Sequence, residues 1–345
     1  VAEKDPVGYH GVKAMPIPST NGQPQPVVSG PPPFQTVFGH LSREVARNNK
    51  EVVCITAAMR EGTGLVPFEK EFPERFYDVG IAEGHGVTFA AGLAAEGMRP
   101  ICAIYSTFLQ RAFDHIVHDA AIQHLPVIFC MDRAGIAGED GPTHHGTLDI
   151  AYLRCIQEMI VAAPKNGNDF RNLLYTALDI TDRPFAIRYP KASSVEFDVE
   201  GQAELLPIGS WKIEKQGTEV VILAVGSLVY DALRAAEQLA AKGISCEVVD
   251  CQFIKPMDDA YLQTAVEKFN AVITIEEGVV KGGFGDGVVS WLAENGYKGS
   301  TKRLGLPDAY VEHGPRNILL QELGLDADGL VSAVSKLIST KAVSI

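Results

Sequence analysis

The sequence predicts an α/β fold made of two three-layer domains with mostly parallel sheets, on three observations. Short β-branched runs alternate with segments of helical periodicity. The runs are apolar on both faces, as strands covered by helices on both sides must be. The same alternation then recurs in a second block of similar length.

Residues 1–33 hold eight prolines and four glycines, including Pro31-Pro32-Pro33, which predicts an extended connector. From Phe34 the apolar residues Phe34, Val37, Phe38, Leu41 and Val45 follow helical spacing. Strands are expected at 52–56, 76–80, 100–105, 126–131, 159–163 and 185–189, with helices near 83–96, 107–123 and 168–180. The stretch around 192–210, with its proline and acidic residues, marks a boundary between domains of 34–200 and 201–345. In the second block strands are expected at 219–225, 244–250, 271–276 and 301–306, and helices near 228–242, 258–268, 284–294 and 326–338.

A net charge of −13 argues against nucleic acid and against an anionic membrane surface as partners, since both are bound through clustered Lys and Arg. No apolar run approaches the ~20 residues of a membrane span. Hydrophobic residues at 46% and charged residues at 21% are ordinary for a globular protein. The six cysteines form no CxxC and no cluster with histidine, and read as buried, reduced thiols.

Open parallel sheets bind ligands outside the carboxyl ends of their strands, and three such ends are rich in chemistry. In YDVGIAEGHGVTFAAGLA, Glu83 opens a helix of small residues suited to close packing. Its ordinary reading is a carboxylate complementing the helix dipole. In IYSTFLQRAFDHIVHDAAIQ, the buried stripe Leu109, Ala112, Phe113, Ile116, Val117 and Ala120 leaves Phe108 and Arg111 together off that stripe. A core Phe with a solvated Arg is the alternative. In DRAGIAGEDGPTHHGTLD, three glycines permit unusual backbone while Arg133, Asp140, His144 and His145 crowd around them. Three such strand ends together point to a site for a flat, polar ligand.

The motifs IAEGHGVTFAAGLA, YSTFLQRAFD, DRAGIAGEDGPTHHG and AYLRC, with GSLVYDAL, CQFIKPMD, EEGVVKGGFGDGV and GLPDAYVEHG further on, closely resemble the 1-deoxy-D-xylulose-5-phosphate synthase family of the transketolase superfamily. The resemblance starts at AEKDPVGYHG and covers almost the whole chain. It implies a pyrimidine-binding domain followed by a transketolase C-terminal domain. The implied reaction is the decarboxylating condensation of pyruvate with D-glyceraldehyde 3-phosphate, which opens the methylerythritol phosphate route to isoprenoids and also serves thiamine biosynthesis. The implied cofactors are thiamine diphosphate and Mg²⁺.

By the same resemblance Glu83 is the glutamate on the aminopyrimidine, Phe108 stacks on that ring, and Tyr105 and Arg111 stand beside it. Arg133 and Lys191 bind the acceptor phosphate, Asp140 and His144 belong to the substrate site, and His10 reaches that site from the connector. His145, His85 and His118 are read as structural. The implied partners are an N-terminal diphosphate-binding domain preceding residue 1 and a second copy in a homodimer, in a bacterial cytoplasm or, less favoured, a plastid stroma. Two departures stand out. The family's usual AEQHA is here Ala82-Glu83-Gly84-His85-Gly86, which lowers intrinsic helix stability by roughly 1 kcal/mol per glycine. Its usual RYPRG is here Arg188-Tyr189-Pro190-Lys191, which puts a point charge where a guanidinium fork would stand.

Gly285-Asp286-Gly287 imitates the GDG that holds Mg²⁺-diphosphate in the family, but it falls before a helix of the second block and reads as a false match. No diphosphate or metal ligand set is therefore expected within this chain, which on its own should be inactive. Two other functions fit parts of the pattern. One is the β-subunit of an oxoacid dehydrogenase, against which the connector-like start argues. The other is a non-catalytic dimerisation or regulatory module, against which the joint presence of Glu83, Phe108, Arg133 and His144 argues.

Overall fold

Helix α1 (Phe34–Asn48) buries Phe34, Val37, Phe38, Leu41 and Val45, the stripe that the spacing predicts. The computed structural model of the chain describes residues 30–342. His10 and nearly all of the connector lie outside the described residues. Pro33, at the N-cap of α1, has a fixed φ and donates no hydrogen bond, which suits the start of a helix. The aromatic face of α1 packs on Phe170 and Tyr189, with ring centroids 6.0 Å apart for Phe38 and either partner.

The first sheet contains β1 (Val52–Thr56), β2 (Phe76–Asp78), β3 (Arg99–Tyr105), β4 (Ile128–Asp132), β5 (Ile160–Ala162) and β6 (Phe185–Arg188). Every residue of β1, β3 and β4 is buried, consistent with helices on both faces. All six strands run parallel, in the order β5-β6-β4-β3-β1-β2. Because β2 and β3 flank β1, the chain leaves β1 towards one side and returns on the other. This reversal opens a crevice beyond the carboxyl ends of β1 and β3. Helix α2 (Val66–Glu71) follows β1, and α3 (Glu83–Ala95) follows β2.

The predicted helix near 107–123 is not one continuous α-helix. It consists of an α turn at Ser106–Leu109, a 3₁₀ turn at Gln110–Ala112, a short α turn at Phe113–His115 and a π-helical stretch at Ile116–Ala121. In a 3₁₀ turn residues i and i+3 eclipse while i+4 swings away, so Leu109 and Ala112 stay on the buried stripe. Phe113, the residue after that turn, which spacing placed on the buried stripe, is accordingly exposed. Helices α4 (Asp149–Arg154) and α5 (Gly167–Asp179) complete this layer; the Asn166 side chain caps α5 by accepting from the Asp169 amide at 2.9 Å.

The second sheet contains β7 (Lys212–Lys215), β8 (Val220–Ala224), β9 (Cys246–Asp250), β11 (Ala271–Val279) and β12 (Ser300–Leu306), in the order β12-β11-β8-β9-β7 with only β7 antiparallel. Its helices are α6 (Val229–Ala240), α7 (Asp259–Lys268), α8 (Phe284–Glu294), α9 (Arg316–Glu322) and α10 (Ala327–Ala342). Strand β10 (Phe253–Lys255) crosses back and pairs antiparallel with β5, so the first sheet has a seventh strand from the second block. Its pairing covers an otherwise open edge. One hydrophobic cluster holds Ile150, Leu153 and Val161 together with Val221, Val249 and Phe284, and residues from Pro31 onward form one compact unit.

Five cysteines are buried as expected, but Cys155 is exposed. It follows α4 at the surface, where Sγ donates to the Tyr152 carbonyl. Among the described residues no helix is long and apolar enough to cross a membrane.

Candidate active site

Glu83 is the first residue of α3, which places its carboxylate at the positive end of the helix dipole. Its side chain is only 6% exposed and accepts a 2.6 Å hydrogen bond from Nη1 of Arg111, itself 57% exposed. The broken helix after β3 puts Arg111 three residues beyond Phe108, and its guanidinium lies 5.4 Å from the Phe108 ring centre. Phe108 stacks on Tyr105 at 5.5 Å and meets the His144 ring edge-to-face at 5.4 Å. Five side chains from two strand ends and the glycine loop are thus linked in one continuous aromatic and ionic chain.

Tyr105 passes the chain on to Arg133, whose guanidinium carbon lies 4.1 Å from its ring centre. Burial pushes the Tyr105 phenol up to about 12, against the pull of Arg133. The phenol lies against Gly62, beyond β1, where a Cβ would come within 1.8 Å of the hydroxyl oxygen. Glycine is therefore required at 62 by close approach.

Arg133 itself takes a left-handed φ of 58°, a cost normally borne only where the surroundings impose it. That turn lets its amide donate to Asp132 Oδ1 at 2.6 Å. Its Nη1 reaches Asp132 Oδ2 and the Gly62 carbonyl, each at 2.7 Å. Burial raises the Asp132 carboxyl to about 6, although the adjacent Arg133 opposes the shift. Sequence reasoning missed Asp132 and Gly62. The acidic residue directly before Arg133 at a strand end was the available signal for Asp132.

Lys191 donates to Asp140 at 2.5 Å, with Glu139 at 3.9 Å. Burial works to raise Asp140, but the Lys191 bond and charge prevail and hold it below the usual carboxylate range. Both predicted anion-binding cations therefore already have carboxylate partners. An incoming phosphate must compete with Asp132 for Arg133 and with Asp140 for Lys191. His144 Nδ1 lies 2.9 Å from the Thr143 hydroxyl.

His145, read from the sequence as structural, accepts with Nδ1 from the Ala137 amide at 2.9 Å, and its Nε2 lies 3.3 Å from the Glu312 carbonyl. Burial lowers its pKa, consistent with a neutral ring accepting that amide bond. The glycine loop is bolted to the second sheet at the same level. Glu277 Oε2 accepts from the Ile136 amide at 3.1 Å, and Arg188 links Asp149 at 2.8 Å to the Glu277 carbonyl at 2.8 Å.

Among the described residues no group of three or more His, Cys, Asp or Glu side chains is placed to hold a metal ion. Asp286 of the Gly-Asp-Gly run accepts from the Gly282 amide at 2.6 Å and pairs with Arg303, so its carboxylate is occupied within the second block. A cavity of about 890 Å³ lined by Phe113, Val117, Ile122, Cys155 and Ile156 contains none of the predicted site residues. Asp114, His118, His124, Gln157 and Glu158 also line that cavity, which is therefore of mixed character and separate from the strand ends that carry Glu83, Phe108 and Arg133.

The fold and the crevice define a transketolase-type chain. Residues 31–195 match the family model of the transketolase pyrimidine-binding domain, and residues 209–330 match that of the transketolase C-terminal domain. A solved split-gene transketolase, described as an inactive β4 tetramer, superposes with a TM-score of 0.79 at 30% identity, covering 90% of this chain and 99% of that one. The chain belongs to the transketolase family.

Within that family its sequence is similar to 1-deoxy-D-xylulose-5-phosphate synthases. The relative from Aquifex aeolicus is 48% identical over 333 residues, covering 96% of this chain and 52% of the relative. The one from Thermomicrobium roseum is 45% identical over 339 residues, covering 98% and 53%. That from Gloeobacter violaceus is 43% identical over all 345 residues. The chain thus spans about half the length of the curated relatives it matches.

Proposed function

We propose that this chain supplies the pyrimidine-binding half of a thiamine-diphosphate site and works in the decarboxylating condensation of pyruvate with D-glyceraldehyde 3-phosphate, giving 1-deoxy-D-xylulose 5-phosphate and CO₂. The observation that carries the proposal is the buried Glu83 carboxylate beside the stacked Tyr105 and Phe108 rings. A ring nitrogen that must exchange a proton needs a shielded carboxyl, and a flat heterocycle needs an aromatic face. When bound, thiamine diphosphate supplies the carbon nucleophile that attacks the carbonyl of pyruvate.

The chain's own residues then have distinct tasks. Glu83 holds a proton against the pyrimidine nitrogen, and Arg111 fixes the orientation of that carboxyl. Phe108, backed by Tyr105, gives the ring a face to lie on. Arg133 and Lys191 bind the acceptor phosphate, with Asp132 and Asp140 holding them in place beforehand. His144 and Asp140 address the reacting groups, and His10 joins them from the connector. Mg²⁺ and the diphosphate are held by an N-terminal domain, within the part of the relatives' length that this sequence does not span. A homodimer is the working state.

The experiment is an assay for 1-deoxy-D-xylulose 5-phosphate in the full-length protein, with and without added thiamine diphosphate. Product that depends on the cofactor and on Glu83 supports the proposal. Cofactor-independent product, or none from a folded, loaded protein, contradicts it.

A further inference from the structure

The segment after β3 faces the start of α3 with Arg111, His115 and Asp119, spaced four residues apart. Arg111 bonds Glu83, and Asp119 accepts from the Thr88 hydroxyl. Between them the His115 ring lies directly over Gly84. A Cβ on residue 84 would come within 2.6 Å of His115 Cε1, 2.9 Å of Nε2 and 3.1 Å of Nδ1. The ring fills the volume that a side chain at 84 would need. His115 Nδ1 is buried without a hydrogen-bond partner, so no polar contact of that atom accounts for the ring's placement. Gly84 is thereby more than a weak helix former. It is the complement of His115.

We propose that His115 is a positioning residue for Glu83, and that it can act only because residue 84 is glycine. The ring clamps the first turn of α3, and so holds the Glu83 carboxyl in register with Arg111 and the Phe108 face. The catalytic consequence rests on the function proposed above; the packing pair does not.

Three variants test the pair: Gly84→Gln, His115→Ser and the double substitution. In the chain itself, hydrogen exchange of the Gly86 and Val87 amides should quicken about tenfold or more in Gly84→Gln and return to within about threefold of the parent in the double variant. A double variant that exchanges as fast as Gly84→Gln overturns the pairing. In the full-length enzyme, His115→Ser should lower kcat about tenfold while the KM of each substrate moves less than about twofold and the melting temperature hardly changes. Unchanged kcat overturns the positioning role, and this reading holds even where Gly84→Gln does not fold. Rescue of exchange without any thiamine-diphosphate-dependent turnover would leave the pair standing and sink the functional reading instead.

Discussion

Arg111 and Glu83 meet at 2.6 Å across the gap between the segment after β3 and the first turn of α3. The contact joins two strand ends that are far apart in sequence, and it gives a nearly buried carboxylate a charged partner whose other side remains open to solvent.

Replacing that carboxyl should therefore affect chemistry far more than folding. Glu83→Gln keeps the shape and one acceptor for Arg111 but cannot exchange the proton. Turnover of the full-length enzyme should fall by ~10² to 10⁴ with the melting temperature nearly unchanged. Turnover close to the parent's would reduce Glu83 to a helix-start residue.

The two cations proposed to bind phosphate, Arg133 and Lys191, make a separate prediction. Arg133→Ala should raise the KM for glyceraldehyde 3-phosphate much more than that for pyruvate. Lys191→Arg, which retains the charge facing Asp140, should be tolerated. Steady-state kinetics with each substrate varied in turn decide the matter, and equal effects on both substrates would refute the assignment.

A third expectation concerns the buried ion cluster where the two sheets meet. Lys165 bonds Asp169 at 2.6 Å and Asp250 at 3.0 Å, and lies 3.3 Å from Glu214. Burial alone would lower its pKa, but Asp250 and Asp169 prevail and raise it. Lys165→Met would leave Asp250 buried with its charge uncompensated, at a cost of about 3–5 kcal/mol in denaturant unfolding. A loss below about 1 kcal/mol would show that the cluster is solvated after all.

Stability should also respond to pH through Glu276. This buried carboxylate accepts from the Phe284 and Gly285 amides at 2.8 Å each, at the start of α8. Burial nevertheless raises it from 4.5 to about 7. Between those values the folded state binds a proton that the unfolded state has released. Its stabilising contribution is thus complete below pH ~4.5 and falls as the pH rises towards about 7, by at most about 3 kcal/mol. Glu276→Gln should flatten that part of the stability profile. Parallel profiles for the variant and the parent would contradict it.

The parts of this architecture that were legible in the sequence are those with strong periodicity. Helix α1 announces itself through its stripe, and β1, β3 and β4 through β-branched runs buried on both faces. The positions of Phe108 and Arg111 were legible because both fall off a helical stripe, although the same stripe misplaced Phe113, which follows a 3₁₀ turn that the spacing did not reveal. Strand β10 was not legible: three residues carry no period, and its partner β5 lies about 90 residues earlier, in the first block of the chain. Gly84 read as a weakness of α3 because its partner, His115, lies 31 positions further along the chain, where no local pattern connects them.

The central claim is that this chain holds the pyrimidine end of thiamine diphosphate and needs a second domain for the Mg²⁺-diphosphate end. Immobilising the whole cofactor costs at least about 4 kcal/mol, which the aminopyrimidine contacts alone must offset in the isolated chain. Titration calorimetry with thiamine diphosphate and Mg²⁺, on the chain alone and then joined to the N-terminal domain of its full-length protein, tests this most directly. The predicted result is no measurable binding by the chain alone and clear binding, weakened by Glu83→Gln, once the domain is restored. Micromolar binding by the isolated chain, or binding by the joined protein that ignores Glu83→Gln, would contradict it.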